Sequence, residues 1–336
     1  MAYPYNEIKM KRKAPTPRVY ENIGGGKTMN VPQKSKARKR RGMKYMLLIL
    51  PFMAILFIFS YYPLYGWRYA FYDFRPPKSL SDCEFVGFKW FVTLVSNSTK
   101  RAQVLQVLKN TFVMSGLDLI TSWLPMMFAI FLSELRNKRF SKLVQTLTTI
   151  PNFVSWVLVY SLAFALFSNS GMMNSLLMKL GVIENPILFL QDSQHTYLTM
   201  WLWLTWKTLG WCAIMYLAAI SGIDQELYEA ARVDGANRFQ LIRHITIPGL
   251  LPTFFVLLMM SIANFLNNGM DQYYVFQNSF NSDKIEVLDL YVYNLGISGG
   301  SYSMGTAVSI FKSVISVTLL MVTNRLSKAF RGESIF

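Results

Sequence analysis

Long apolar runs alternate with short polar connections along this chain. Six of the runs match the roughly 20 predominantly apolar residues that a helix needs to cross a bilayer. They cover residues 45–65, 112–132, 143–167, 197–220, 250–266 and 304–322. The fifth is the shortest, and either Pro248 or Pro252 suits its first turn, where a missing N–H costs nothing. The pattern predicts an all-α integral membrane protein of six transmembrane helices. Residues 1–44 form a polar N-terminal tail, residues 45–325 the membrane domain and residues 326–336 a short C-terminal tail.

Composition agrees with that reading. Of 336 residues 52% are hydrophobic and only 15% charged, against about 25% charged in soluble domains, so too little polar surface exists to face water on all sides. The formal net charge is +16, and its placement gives an orientation. Segments 1–44, 134–142, 221–249 and 325–336 hold 23 Lys and Arg, whereas the alternate segments 66–108, 169–196 and 269–303 hold 8. Positive charge collects on the cytoplasmic side, so both termini are expected in the cytoplasm. The basic run at 34–41 fits the anionic inner leaflet better than nucleic acid, because no aromatic residues interleave it for base stacking. Most of the tail has the composition of a disordered segment.

Several chemistries are excluded by spacing. Gly26-Lys27-Thr28 looks like the end of a phosphate-binding loop, but the earlier glycine falls on Glu21, so ATP binding by this chain is not expected. His195 and His244 are the only histidines and lie on opposite faces of the inferred topology, so neither completes a metal site. Cys83 and Cys212 are read as unpaired.

The most informative stretch is the cytoplasmic loop 221–249. Asp224 caps a short helix, Glu226 suits its first turn, and Gly235 ends it where a left-handed residue is needed. Leu227, Ala230, Ala231 and Asp234 share one side, and Glu229 and Arg232 are spaced to pair at i,i+3. Taken by themselves these features also fit an amphipathic linker. The spacing Glu229-Ala230-Ala231, Gly235, Ile245 and Pro248 resembles the EAA motif of permease subunits in binding-protein-dependent ABC importers, with Ile247 where leucine is usual. Phe85-Val86-Gly87-Phe88, residues 151–157, 289–293 and 311–314, and Asn324-Arg325-Leu326 resemble segments of LplB/YtcP-type carbohydrate permeases, relatives of the maltose transporter permeases.

That resemblance, which covers residues 45–330, implies a MetI-like permease fold. It further implies a second, homologous permease, two ATPase subunits that use ATP and Mg, and an extracellular solute-binding lipoprotein. On this basis the chain is a non-catalytic subunit without a cofactor of its own. It sits in a bacterial plasma membrane, of a kind common in Gram-positive cells, and passes oligosaccharides such as fragments of plant or algal polysaccharides. Glu229, Ala230, Ala231, Asp234, Gly235, Ile245 and Pro248 then form the surface that docks on an ATPase.

Candidates for the sugar path are polar groups that lipid cannot accept. Asn264, Asn267, Asn268 and Asp271 recur every three to four residues and are expected on one helix face, with Tyr273 adjacent. That face lines either a water-filled cavity or a packed contact between two permeases. Asp118, Lys207 and Lys312 are charges within spans. Counting the helical rise from the outer ends puts Lys312 roughly 12 Å and Asp118 roughly 9 Å deep. The three either pair with one another or face the substrate, and two lysines at such depth suit an acidic, uronate-containing glycan. Trp156 and Trp206 are candidate stacking residues or simple packing. A secondary transporter would show internal repeats, and an intramembrane enzyme would need more than a lone Asp118; neither pattern is found.

Overall fold

The computed structural model describes residues 36–331, so the tail expected at 1–44, Gly26-Lys27-Thr28 and the last five residues lie wholly or mostly outside the described residues. Among the described residues every regular element is helical, and the one isolated bridge joins Tyr72 to Phe85. Five segments are long and apolar enough to cross a membrane: Met43–Phe71, Ser98–Glu134, Trp156–Lys179, Arg238–Ala263 and Tyr302–Arg325. A sixth is Thr196–Ser221 taken with Gln225–Val233, the two bent by 69°. Five of the six expected spans are therefore present, with corrected boundaries, and the one expected at 197–220 counts as a sixth only if that bent pair is a single span.

The chain divides into two units, up to Tyr62 and from Pro63 onwards. In the first, α1 (Lys36–Leu56) continues into a π-helical stretch to Tyr61, and Met46, Phe52 and Phe59 are exposed, as suits lipid.

In the second unit the corrections come from proline. The expected straight span 112–132 is two helices, α2 (Ser98–Ile120) and α3 (Leu124–Glu134), separated by a turn ahead of Pro125. Trp201 holds that turn by donating its indole N–H to the Thr121 hydroxyl at 2.9 Å. The expected span 143–167 breaks at Pro151, which supplies no N–H and disfavours helix in the residue before it. Its halves are α4 (Lys138–Thr149) and α5 (Trp156–Phe167), joined by a 3₁₀ turn at Ile150–Phe153. Ser155 caps α5 by accepting from the Leu158 N–H. Next come α6 (Thr196–Ser221), packed along α3, and α7 (Gln225–Val233). The fifth span starts well before residue 250, because the π turn Ile242–Thr246 runs straight into α8 (Ile247–Ala263). Short helices follow, among them α9 (Asp271–Phe276) and α10 (Leu288–Tyr293). The last helix, α11 (Tyr302–Arg331), extends into the segment read as a C-terminal tail.

The largest core cluster joins α2, α5, α6, α9 and α10 through Met114, Val159, Ala163, Met200, Tyr273, Phe276 and Leu290. One polar node pins the connection between α9 and α10 to this core. Asn110, fully buried on α2, donates to the carbonyls of Asp283 and Glu286 at 2.9 Å each, and accepts from the Tyr197 hydroxyl at 2.7 Å. Asn110→Ala leaves the Glu286 carbonyl and the Tyr197 hydroxyl without these bonds. It is expected to cost about 2–4 kcal/mol, since each buried orphan costs about 1–3 kcal/mol. A lowered thermal midpoint of the purified protein checks this; an unchanged midpoint contradicts it.

Candidate functional site

Two sites emerge, one in the loop after α6 and one between membrane helices. In the loop the local signals operate as expected. The Asp224 carboxylate accepts from the Glu226 N–H at 3.0 Å and starts α7. Gly235 has φ +83° and closes α7, with the Ala236 N–H reaching back to the Ala231 carbonyl at 2.9 Å. Asn237 and Gln240 then cap each other reciprocally to begin the short helix Arg238–Leu241. The Tyr228 hydroxyl meets that of Thr246 at 3.0 Å and ties α7 to the base of α8. Glu229, Ala230, Asp234, Gly235 and Pro248 are exposed, while Ala231 and Ile245 are half-buried.

The expected Glu229–Arg232 ion pair is not among those of the described residues. Arg232 instead lines a groove with Glu134, Arg136, Lys138 and Arg238. Leu227 and Phe239 are exposed, and Val233 is 88% exposed.

The second site is a cavity of about 520 Å³ between α2, α6 and α8. Asp118 and Ser115 come from α2, Trp211 and Cys212 from α6, and Asn264, Asn267 and Asn268 from the segment after α8, with Tyr273 from α9. The asparagines do not share a helix face, contrary to expectation, because α8 stops at Ala263 and Gly269 turns the chain at φ +71°. Instead Asn264 donates to the Met260 carbonyl, and Asn268 donates to the Ser115 hydroxyl at 2.8 Å. Ser115 in turn donates to the Phe265 carbonyl. The turn thus gathers three amides at one end of the cavity. Asp271 is exposed and does not line it.

The charges within spans do not pair with one another. Lys207 is buried and donates to the carbonyls of Pro151, Asn152 and Val154 at 3.0, 2.8 and 2.6 Å, at the helix break that Pro151 makes; of the three, the Pro151 carbonyl also accepts from the Val154 N–H. Trp156 lies beside it, 5.4 Å from ammonium to ring centre, so these two residues brace the break rather than line the cavity. Trp206 borders an apolar recess with Trp203 and Phe167. Lys312 on α11 pairs with Asp289, whose other oxygen accepts from the Gly269 N–H at 2.9 Å.

Asp289 was missed as a site residue because it lies outside the apolar runs, although the stretch 289–293 had drawn notice. Ser115 was missed because one serine in an apolar run carries no distinguishing pattern. His195 donates to Asp192 in the connection before α6, which holds that carboxyl below the usual carboxylate range. Cys83 and Cys212 are both free. No cluster that would hold a metal ion occurs among the described residues.

Residues 122–332 match the family model of the binding-protein-dependent transport system inner membrane component. The chain belongs to this family. Among its relatives, protein LplB of Bacillus subtilis (strain 168) is 38% identical over 302 residues, covering 89% of this chain and 93% of its own. The polygalacturonan/rhamnogalacturonan transport system permease protein YteP of the same strain is 37% identical over 311 residues, covering 90% and 95%. Among solved structures, a bacterial ABC transporter involved in the import of the acidic polysaccharide alginate has a chain with TM-score 0.77 and 32% identity, covering 88% of this chain and 98% of that one. The same type of transporter, bound to a periplasmic protein carrying an alginate pentasaccharide, matches with TM-score 0.78 and 30% identity, covering 90% and 100%. This chain is accordingly a multi-pass membrane permease with the MetI-like fold of ABC importers.

Proposed function

We propose that this permease forms one half of the passage by which an ATP-driven importer brings polysaccharide-derived oligosaccharides into a bacterial cell. It works beside a second, homologous permease. An extracellular solute-binding lipoprotein delivers the sugar, and two ATPase subunits using ATP and Mg dock on residues 221–249. Both termini lie in the cytoplasm of what we infer to be a Gram-positive cell. The observation that carries the reading is the cavity between α2, α6 and α8. Three amides, three serines (Ser115, Ser122 and Ser261) and the rings of Trp211 and Tyr273 border one space inside the membrane region, the mixture of hydrogen-bonding and flat apolar groups that sugar hydroxyls and ring faces require. The names of the relatives support sugar as cargo, and the exposed Leu227, Val233 and Phe239 support docking at the loop.

The test narrows the cavity and removes one amide. Ser261→Trp is expected to lower uptake at least tenfold, about 1.4 kcal/mol or more. Asn267→Ala should lower it severalfold. Copurification of all subunits and basal ATP hydrolysis should persist in both variants. Dissociation of the two permeases in either variant would support a packing role for the site, and normal uptake in both would remove the cavity from the path.

A further inference from the structure

The charges around the proposed passage bear on which sugar it takes, and this argument rests on that proposed passage. The two membrane-depth lysines that could greet an acidic glycan are both committed elsewhere. Lys207 spends its three protons on the carbonyls at the Pro151 break, and Lys312 is held by Asp289. Neither borders the cavity. Among the described residues that line it, Asp118 is the sole charged side chain. Its carboxylate is accessible and has no ion-pair or hydrogen-bond partner among the described residues, whereas the neighbouring Asn268 and Ser115 satisfy each other.

A carboxylate in a space walled by low-dielectric helices sets up a field that water screens poorly. It attracts hydroxyl donors and cations and repels carboxylates. We infer that Asp118 makes this chain's side of the passage selective for uncharged or amino-bearing sugar residues, and that it turns uronate carboxylates away. This departs from what the acidic substrates named for the relatives suggest at first sight, and it reverses the expectation drawn from the two lysines.

The field can be read without knowing the sugar, because Cys212 lines the same cavity and is exposed, and Cys83 is the only other cysteine of the chain. The intact importer carrying Cys83→Ser is treated with a cationic trimethylammonioethyl methanethiosulfonate or an anionic sulfonatoethyl methanethiosulfonate. Modification of the Cys212 peptide is followed by mass spectrometry, with rates normalised to those of a free thiol. The cationic reagent is expected to react at least about fivefold faster than the anionic one, as a nearby unscreened charge would impose. Asp118→Asn should bring the ratio close to one. Equal rates in the unchanged protein, faster anionic reaction, or a ratio insensitive to Asp118→Asn would overturn the inference. Failure of both reagents to reach Cys212 would overturn it too, by showing that the cavity holds no water. The Ser261→Trp experiment separates the two ideas. A tenfold loss of uptake with an anion-favouring Cys212 keeps the passage and discards its charge preference, whereas normal uptake discards the passage itself.

Discussion

Gly235→Val is expected to abolish uptake while the two permeases remain paired. Gly235 sits at φ +83°, a backbone region that β-branched residues scarcely enter, yet a Cβ there would meet nothing within 4 Å. The cost is therefore backbone strain alone, about 1–3 kcal/mol, and it falls on the turn that closes α7 and leads into the short helix Arg238–Leu241. Because that strain is local, the membrane helices should assemble normally while the ATPases bind loosely or are lost. Gly235→Asn provides the control, since asparagine tolerates the left-handed region, and it should keep most of the uptake. Ala231→Phe attacks the same surface differently. Ala231 is half-buried under α7, so a phenyl ring must push the helix outward at about 1–3 kcal/mol. Copurification of ATPases with each variant, measured beside uptake, decides the matter. Full retention and normal uptake in both the valine and phenylalanine variants would reduce the loop to a connector.

A second large effect is expected at Lys207, and it is a stability effect. Lys207→Met keeps the length and apolar stem of the side chain but removes three protons from three carbonyls. The Pro151 carbonyl also accepts from the Val154 N–H at 3.2 Å. Those of Asn152 and Val154 have no comparable substitute, and buried polar groups left unpaired cost about 1–3 kcal/mol each. Removal of a desolvated charge offsets part of this, leaving an expected loss of about 2–4 kcal/mol. Lys207→Arg should recover little, because a planar fork does not converge on three carbonyls as a rotating ammonium does. The thermal midpoint of the purified importer should fall in both variants. An unchanged midpoint with lowered uptake would instead return Lys207 to the sugar path.

These two cases mark where reasoning from residue order succeeds and where it stops. The helix and turn of the loop 221–249 were legible because their rules are local. Asp224 finds its partner two residues on, and Gly235 takes a left-handed backbone conformation that favours glycine. That the chain crosses a membrane several times was legible for a similar reason, since apolar length is a property of each segment by itself. The candidate cavity was half legible. Asn264, Asn267, Asn268, Tyr273 and Asp118 were all marked as groups that lipid refuses, and they do border one space.

What residue order left open was partnership. Lys207 answers a helix break more than fifty positions away, at Pro151 to Val154, and Asp289 reaches both Gly269 and Lys312. Asn110 is satisfied by carbonyls at Asp283 and Glu286, from the far side of the chain. Inside a membrane a polar side chain has no water to fall back on, so its role is set by whichever distant group packing brings within hydrogen-bond reach. That among the described residues Asp118 alone keeps an unpartnered charge beside the cavity is therefore a fact of packing, while the need for such groups to turn inward was written in the apolar runs around them.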